Sequence, residues 1–128
     1  MENQGAQIKI EGITKRFDDV LAVDDVSMEV KEGEFLTLLG PSGSGKTTLL
    51  NMIAGFLIPT KGEILINHMP VTDLPPYKRD IGMVFQNYAL FPHMTVFENI
   101  AFPLRRRKME KAMIGEKVKW ALDLVKLS

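Results

Sequence analysis

The alternation of apolar and polar positions divides the chain into short elements. Ile8 to Thr14 alternates as a half-exposed strand does, and Ala22 to Val30 continues the pattern. Lys31-Glu32-Gly33 is a turn signal. Phe35 to Leu39 is almost wholly apolar, which predicts a strand buried on both faces. A glycine-rich loop follows, Gly40 to Gly45. Lys46 to Phe56 predicts a helix with Leu49, Leu50 and Ile53 on one face and Gly55 near its end. Pro59 to Gly62 is a turn. Glu63 to Ile66 predicts another strand, and Ile81 to Phe85 a further buried one.

The texture changes after Gln86. Asn87 to Met94 is a loop holding aromatic residues and a proline. Thr95 and Glu98 have capping-box spacing, which predicts a short helix from Thr95 that Pro103 ends. Arg105 to Lys108 reads as a solvated basic linker. Met109 to Leu127 predicts an amphipathic helix with Met113, Val118, Ala121, Leu122 and Val125 on its apolar side. Trp120 reads as packing. The order of strand, glycine loop, helix and strand predicts an α/β fold.

Composition narrows the function classes. A length of 128 residues suits one domain. Acidic and basic residues balance at 16 each, which argues against a nucleic-acid binder held by bulk charge. With no cysteine, disulfides, thiolate metal sites and a thiol nucleophile are excluded. The opening MENQGAQIKI shows no signal-peptide pattern, and the apolar stretches are strand-sized. The expectation is a soluble, intracellular protein that meets a membrane only through a partner.

The strongest chemical signal is GPSGSGKT, Gly40 to Thr47, which fits G-x-x-x-x-G-K-[ST] between a predicted strand and a predicted helix. Such a loop wraps backbone N–H groups around phosphate oxygens, in conformations and at approach distances that side chains forbid. The helix N-terminus adds a partial positive charge aimed at the same anion. Lys46 supplies a full charge for the β- and γ-phosphates, and the Thr47 hydroxyl suits Mg²⁺. The phosphate-binding residues on this reading are Gly40, Pro41, Ser42, Gly43, Ser44, Gly45, Lys46 and Thr47.

Two segments together carry a family resemblance. GPSGSGKTTLLNMIAGF, followed after a strand by IGMVFQNYALFPHMTVFENIAFPL, resembles the ATP-binding subunits of ABC importers, closest to the group that drives uptake of polyamines, sulfate, iron, maltose or glycerol phosphate, with polyamine as the first candidate and sulfate, iron and phosphonate-type solutes beside it. The resemblance implies a P-loop α/β fold, ATP and Mg²⁺ as cofactors, and Thr48 beside the phosphates. It matches Gln86 to the Q-loop glutamine that touches Mg²⁺ and the attacking water. It matches Phe17, in KRFDDVLAV, to the aromatic residue that stacks on adenine. It makes Tyr88 to Phe91 a docking patch for membrane permease subunits, which would hold the chain at the inner face of the cell membrane. Full-length members dimerise.

The same resemblance sets out what the 128 residues lack. They contain no LSGGQ-like signature, no Asp-Glu at a Walker B strand after the P-loop, and no histidine matching the family's γ-phosphate contact. Val20 to Asp24 mimics a Walker B strand but precedes the loop, and Leu127-Ser128 mimics the start of a signature. His68 reads as a turn residue and His93 as polar filler. The organisation implied is 1–86, N-terminal strands and P-loop half of the core, and 87–128, Q-loop continuation and start of a truncated helical subdomain. Strands Phe35 to Leu39 and Ile81 to Phe85 are expected to have exposed edges or missing neighbours. The enzymatic reading, ATP hydrolysis coupled to solute import, stands beside a second one, a nucleotide- or transporter-binding module that does not hydrolyse.

Overall fold

The structure, a computed structural model, describes residues 5–127. These form two compact units, one running to Met83 and the other from Val84. Of the Leu127-Ser128 pair, Ser128 lies outside the described residues.

The first unit is built on a four-stranded antiparallel sheet in the order β2-β1-β3-β4, with β1 Ile8–Phe17, β2 Val20–Val30, β3 Lys61–Ile66 and β4 Met69–Pro70. Strands β1 and β2 run beyond the alternating stretches and meet in a two-residue turn at Asp18 and Asp19. Asp18 takes a φ of 46°, which aspartate tolerates better than most residues. The β1–β2 register slips near Gly12 and Thr14. There side chains replace missing ladder bonds: Gly12 N–H donates to Ser27 Oγ at 2.8 Å and Asp25 N–H to Thr14 Oγ1 at 3.0 Å.

Helix α1, Lys46–Ala54, buries Leu49, Met52 and Ala54. Its inner residues join Ile10, Ile13, Val23, Ile64, Ile66 and Val71 in one core, with Ile53 packed against it. Leu50, expected on the inner face, is exposed. At 100° per residue the stripe passes through Leu49, Met52 and Ile53, and Leu50 falls beside it.

The two segments expected as buried strands form no ladder among the described residues. Phe35, Leu39 and Val84 are 94%, 89% and 91% exposed. Each segment keeps one residue on the core, Leu38 and Ile81. A strand apolar on both faces is stable only between neighbours that pair with it, and parallel neighbours arrive through long crossovers. Without such neighbours the two segments do not attain strand geometry.

The second unit is a helix pair, α2 Val96–Arg106 and α3 Lys111–Leu124. Ala101, Ile114 and Val118 are buried between them, with Ile100, Leu104, Met109 and Leu122 packed alongside. Met113 and Val125, expected on the inner side of α3, are exposed, because the buried stripe runs through Ile114, Val118 and Leu122. Trp120 is also exposed, not packed. Pro103 does not end α2. Its missing N–H leaves one carbonyl without an intrahelical donor, but the residue faces solvent and packing at Ala101 and Leu104 holds the helix through the position. Arg105 and Arg106 thus belong to the last turn of α2, where cations offset the helix dipole, and not to a linker.

Both halves of the capping box are present. Glu98 N–H donates to Thr95 Oγ1 at 3.2 Å, and Thr95 N–H donates to Glu98 Oε2 at 2.7 Å. The backbone bond from Thr95, then its side-chain bond, hold the Glu98 carboxyl below its ordinary range. A lowered carboxyl pKa stabilises the fold above the unfolded value, and that contribution is lost as pH falls through the folded value. Thr95→Ala is expected to cost about 1 kcal/mol near neutral pH. Thermal melts of both forms should show the gap narrowing once pH falls below the usual carboxyl range. A gap that stays constant would mean that the Thr95 side chain does not act on the carboxylate, since the variant keeps the backbone N–H of residue 95.

Candidate functional site

The loop from Gly40 to Gly45 leads straight into α1. Gly43 and Gly45 have φ of 82° and 90°, in the left-handed region that a side chain disfavours. At Gly45 a second constraint acts. A Cβ there would lie 2.5 Å from the Ala22 carbonyl oxygen and 3.3 Å from Val23 Cγ2. The loop is therefore pressed onto β2 at the point where α1 begins. Ser44 N–H donates to Pro41 O at 3.2 Å and closes the loop on itself.

Lys46 is half-buried, and its ammonium reaches back into its own loop. It donates to Gly40 O, to Pro41 O at 2.7 Å and to Ser44 Oγ at 3.0 Å. One full positive charge thus stands inside the ring of loop backbone. Behind it, Gly45 is the N-cap residue of α1 and gives no side-chain cap. The first-turn amides of Lys46, Thr47 and Thr48 have no intrahelical acceptor, as at any helix start, and no acidic residue occupies that turn. A fixed ammonium, an uncapped helix start and left-handed glycines make a cradle for a phosphate chain. The Thr47 side chain is exposed on the first turn, where its hydroxyl can serve as an oxygen ligand to Mg²⁺. Pro41, Ser42 and Gly43 are exposed at the rim.

Phe17 closes β1, paired with Val20 across the hairpin. Ala22, the residue against Gly45, is two positions further along β2, about 7 Å of strand. Phe17 is half-exposed, and the Lys15 ammonium lies 5.0 Å from its ring centroid while donating to Ile58 O at 2.7 Å. A cleft of about 340 Å³ opens beside this hairpin, lined by Arg16, Leu21, Asp24 and Lys61 among others; no phosphate-loop residue borders it.

The structure therefore gathers the phosphate loop and Phe17 on one unit. Gln86 belongs to the other. It is exposed at the start of the turn over residues 86–89. In that turn Tyr88 and Ala89 have φ of 64° and 49°, and the Tyr88 N–H donates to Phe85 O. Tyr88 and Leu90 are largely exposed, whereas Phe91 packs on Phe102 with ring centroids 4.6 Å apart. No group of three or more acidic or histidine side chains that could hold a metal occurs among the described residues.

Two residues that sequence reasoning passes over organise these loops. Asn99 holds the segment from Phe91 to Thr95 onto the start of α2. Its Oδ1 accepts from Phe91 N–H at 2.9 Å, and its Nδ2 donates to the carbonyls of Phe91, Met94 and Thr95. Arg79 is buried behind the end of α1. The only sequence signal for Asn99 is its position four residues after Thr95, within reach of the loop that α2 caps. A lone arginine beside Lys78 gives no sequence signal at all.

Comparison with known proteins decides the family. The family model described as ABC transporter matches residues 23–128. This chain belongs to the ABC transporter family. It is 51% identical over 127 residues to the spermidine/putrescine import ATP-binding protein PotA of Rubrobacter xylanophilus, covering 99% of this chain and 34% of that protein. It is 52% identical over 123 residues to the protein of the same name from Nitrosomonas eutropha, covering 96% and 34%. A solved structure, the dimeric post-hydrolysis state of the ATP-binding cassette MJ0796 bound to ADP and Pi, aligns with a TM-score of 0.82 at 33% identity. It covers 94% of this chain and 58% of that one. The chain spans about a third of the length of the curated relatives it matches. Its fold is that of part of an ABC ATPase, and membership of the family implies nucleotide binding.

In this ABC-family chain, Gly45→Ala is expected to destabilise the first unit by about 1–3 kcal/mol, from the left-handed φ alone. The clash with Ala22 adds to that, and ADP affinity should fall with stability. Urea unfolding and an ADP titration check both. A variant as stable and as tight-binding as the parent would contradict the packing of the loop on β2.

Proposed function

We propose that this chain is the nucleotide-binding front of an ATP-binding subunit that drives uptake of a small solute, with a polyamine as the first candidate. The observation that carries the reading is the Lys46 ammonium, held inside the Gly40 to Thr47 loop at the uncapped start of α1. The names of relatives at 51–52% identity support the solute class.

Each residue then has a task. Backbone N–H groups between Ser42 and Thr48 bind and orient the phosphate chain. Lys46 offsets charge on the β- and γ-phosphates and turns from the loop carbonyls toward them. Phe17 offers a ring face to adenine, which supplies contact area without base-specific hydrogen bonds. The Thr47 hydroxyl and the Gln86 amide oxygen are oxygen donors of the type Mg²⁺ takes, and the ion when bound offsets phosphate charge. Tyr88 to Phe91 forms the apolar contact for a permease subunit at the inner membrane face, its shape set by Asn99. No helix among the described residues is long and apolar enough to cross a membrane. Pairing with a second nucleotide-binding subunit agrees with the dimeric state of the structural neighbour.

A second reading is favoured by the chemistry present in these 128 residues. Lys46, Thr47 and Gln86 are the side chains that the family pattern gives a charge, metal or water role in these residues, and none of them is a base for an attacking water. These groups suffice to bind nucleotide, and hydrolysis calls for charges that none of them supplies.

Lys46→Ala tests the proposal. Removing the one ammonium in the cradle is expected to weaken ADP and ATP binding at least a hundredfold, to the point of no measurable saturation. Calorimetric titration of both forms measures it, with the circular dichroism spectrum checking that the fold is retained. Equal affinity in the variant would mean that the loop is not the site.

A further inference from the structure

Among the described residues, Arg79 is the one charged side chain that is buried, at 3% exposure. No carboxylate lies within ion-pair distance of it; the one ion pair among the described residues joins Lys9 and Glu11. Its donors all go to backbone carbonyls. Nη1 reaches Met52 O at 2.8 Å and Ile53 O at 3.1 Å, in the last turn of α1. Nη2 reaches Thr72 O at 3.0 Å and Nε reaches Leu74 O at 2.8 Å, in the segment after β4. The guanidinium therefore spans two stretches of chain and adds donors to the last carbonyls of α1, of which Met52 O also accepts from the Gly55 N–H at 3.2 Å. Its charge also opposes the negative end of the α1 dipole.

The site is shaped for this group. Gly55, with φ of 90°, ends α1, and a Cβ on it would fall 2.6 Å from Arg79 Nε and 2.9 Å from Cζ. A lysine could not replace the contact. It offers three donors from one point, whereas the carbonyls here lie around a planar fork. Burial lowers the guanidinium pKa, opposed by the Asp73 charge, yet arginine remains charged.

Placement gives the clamp its consequence. Helix α1 is nine residues long and carries Lys46 and Thr47 on its first turn. A short helix moves as a rod, so displacement at the phosphate loop reaches the turn that Arg79 grips. On the other side of the clamp the chain turns at Asp80, φ 46°, and Ile81 packs on the same core. Gln86 follows seven residues after Arg79.

We propose that Arg79 is a positioning residue that ties the end of α1 to the segment leading into Gln86, so that phosphate binding is transmitted to residues 80–83. The inference rests on the phosphate-loop reading. It adds a direction of coupling that the loop itself does not contain, carried by hydrogen bonds and packed contacts.

Hydrogen exchange of the chain with and without Mg²⁺ and ADP tests this, on the parent, on Arg79→Lys and on Arg79→Met. In the parent, ADP is expected to slow exchange at the first turn of α1 and also at residues 80–83. In Arg79→Lys, protection at the first turn should persist while protection at 80–83 disappears, with ADP affinity down roughly tenfold. Arg79→Met should show the same loss or a larger one. The proposal is overturned if the parent shows protection at α1 and none at 80–83, a result that needs no variant to fold. It is equally overturned if Arg79→Lys keeps the parent's affinity and protection pattern. Failure of the underlying reading looks different: ADP then leaves the parent's exchange unchanged even at Lys46 and Thr47, and the inference falls with it.

Discussion

Everything in the first unit turns on the placement of α1. The helix is fixed at three points. Its start is pressed onto β2, where Gly45 meets the Ala22 carbonyl. Its inner face drives Leu49 and Met52 into the sheet core beside Ile10, Ile13 and Ile64. Its end is gripped by Arg79 across Gly55. Full burial of each of these large side chains contributes about 1.5–3 kcal/mol, so the hydrophobic contacts set the helix on the sheet. The polar contacts at the two ends set its register along its own axis. A phosphate cradle needs both, because its amides and the Lys46 ammonium are useful only at fixed positions relative to the loop.

The second unit follows a different logic. It has few buried residues, Ala101, Ile114 and Val118, and relies on local hydrogen bonds for shape. The capping box starts α2, and Asn99 folds residues 91–95 over that start. This leaves Tyr88 and Leu90 exposed on a turn with two left-handed residues. Strained, exposed and apolar together, such a turn suits a contact surface better than a core.

What is legible in the sequence is local and chemical. The phosphate loop, α1 with its glycine stop, the antiparallel strand pair and the Thr95–Glu98 cap depend on neighbours within a few residues. What the sequence conceals depends on distant partners. Phe35 to Leu39 reads as a buried strand because its side chains are apolar, but pairing is decided by other strands. Pro103 reads as a stop because the proline rule is local, while α3 packing holds the helix through it. Leu50 and Met113 read as inner residues because an apolar side chain one step off a helical stripe looks the same in a short window. Arg79 is invisible because its acceptors are main-chain carbonyls, which carry no sequence identity.

The central claim is that this chain recognises nucleotide through the phosphate chain, by a cradle set on α1, and not chiefly through the base. Comparing ADP with adenosine in titrations at equal Mg²⁺ measures this directly. The account predicts saturable binding of ADP, binding of adenosine weaker by at least two orders of magnitude, and competition of inorganic pyrophosphate with ADP. Adenosine binding as tightly as ADP, with pyrophosphate failing to compete, would contradict it.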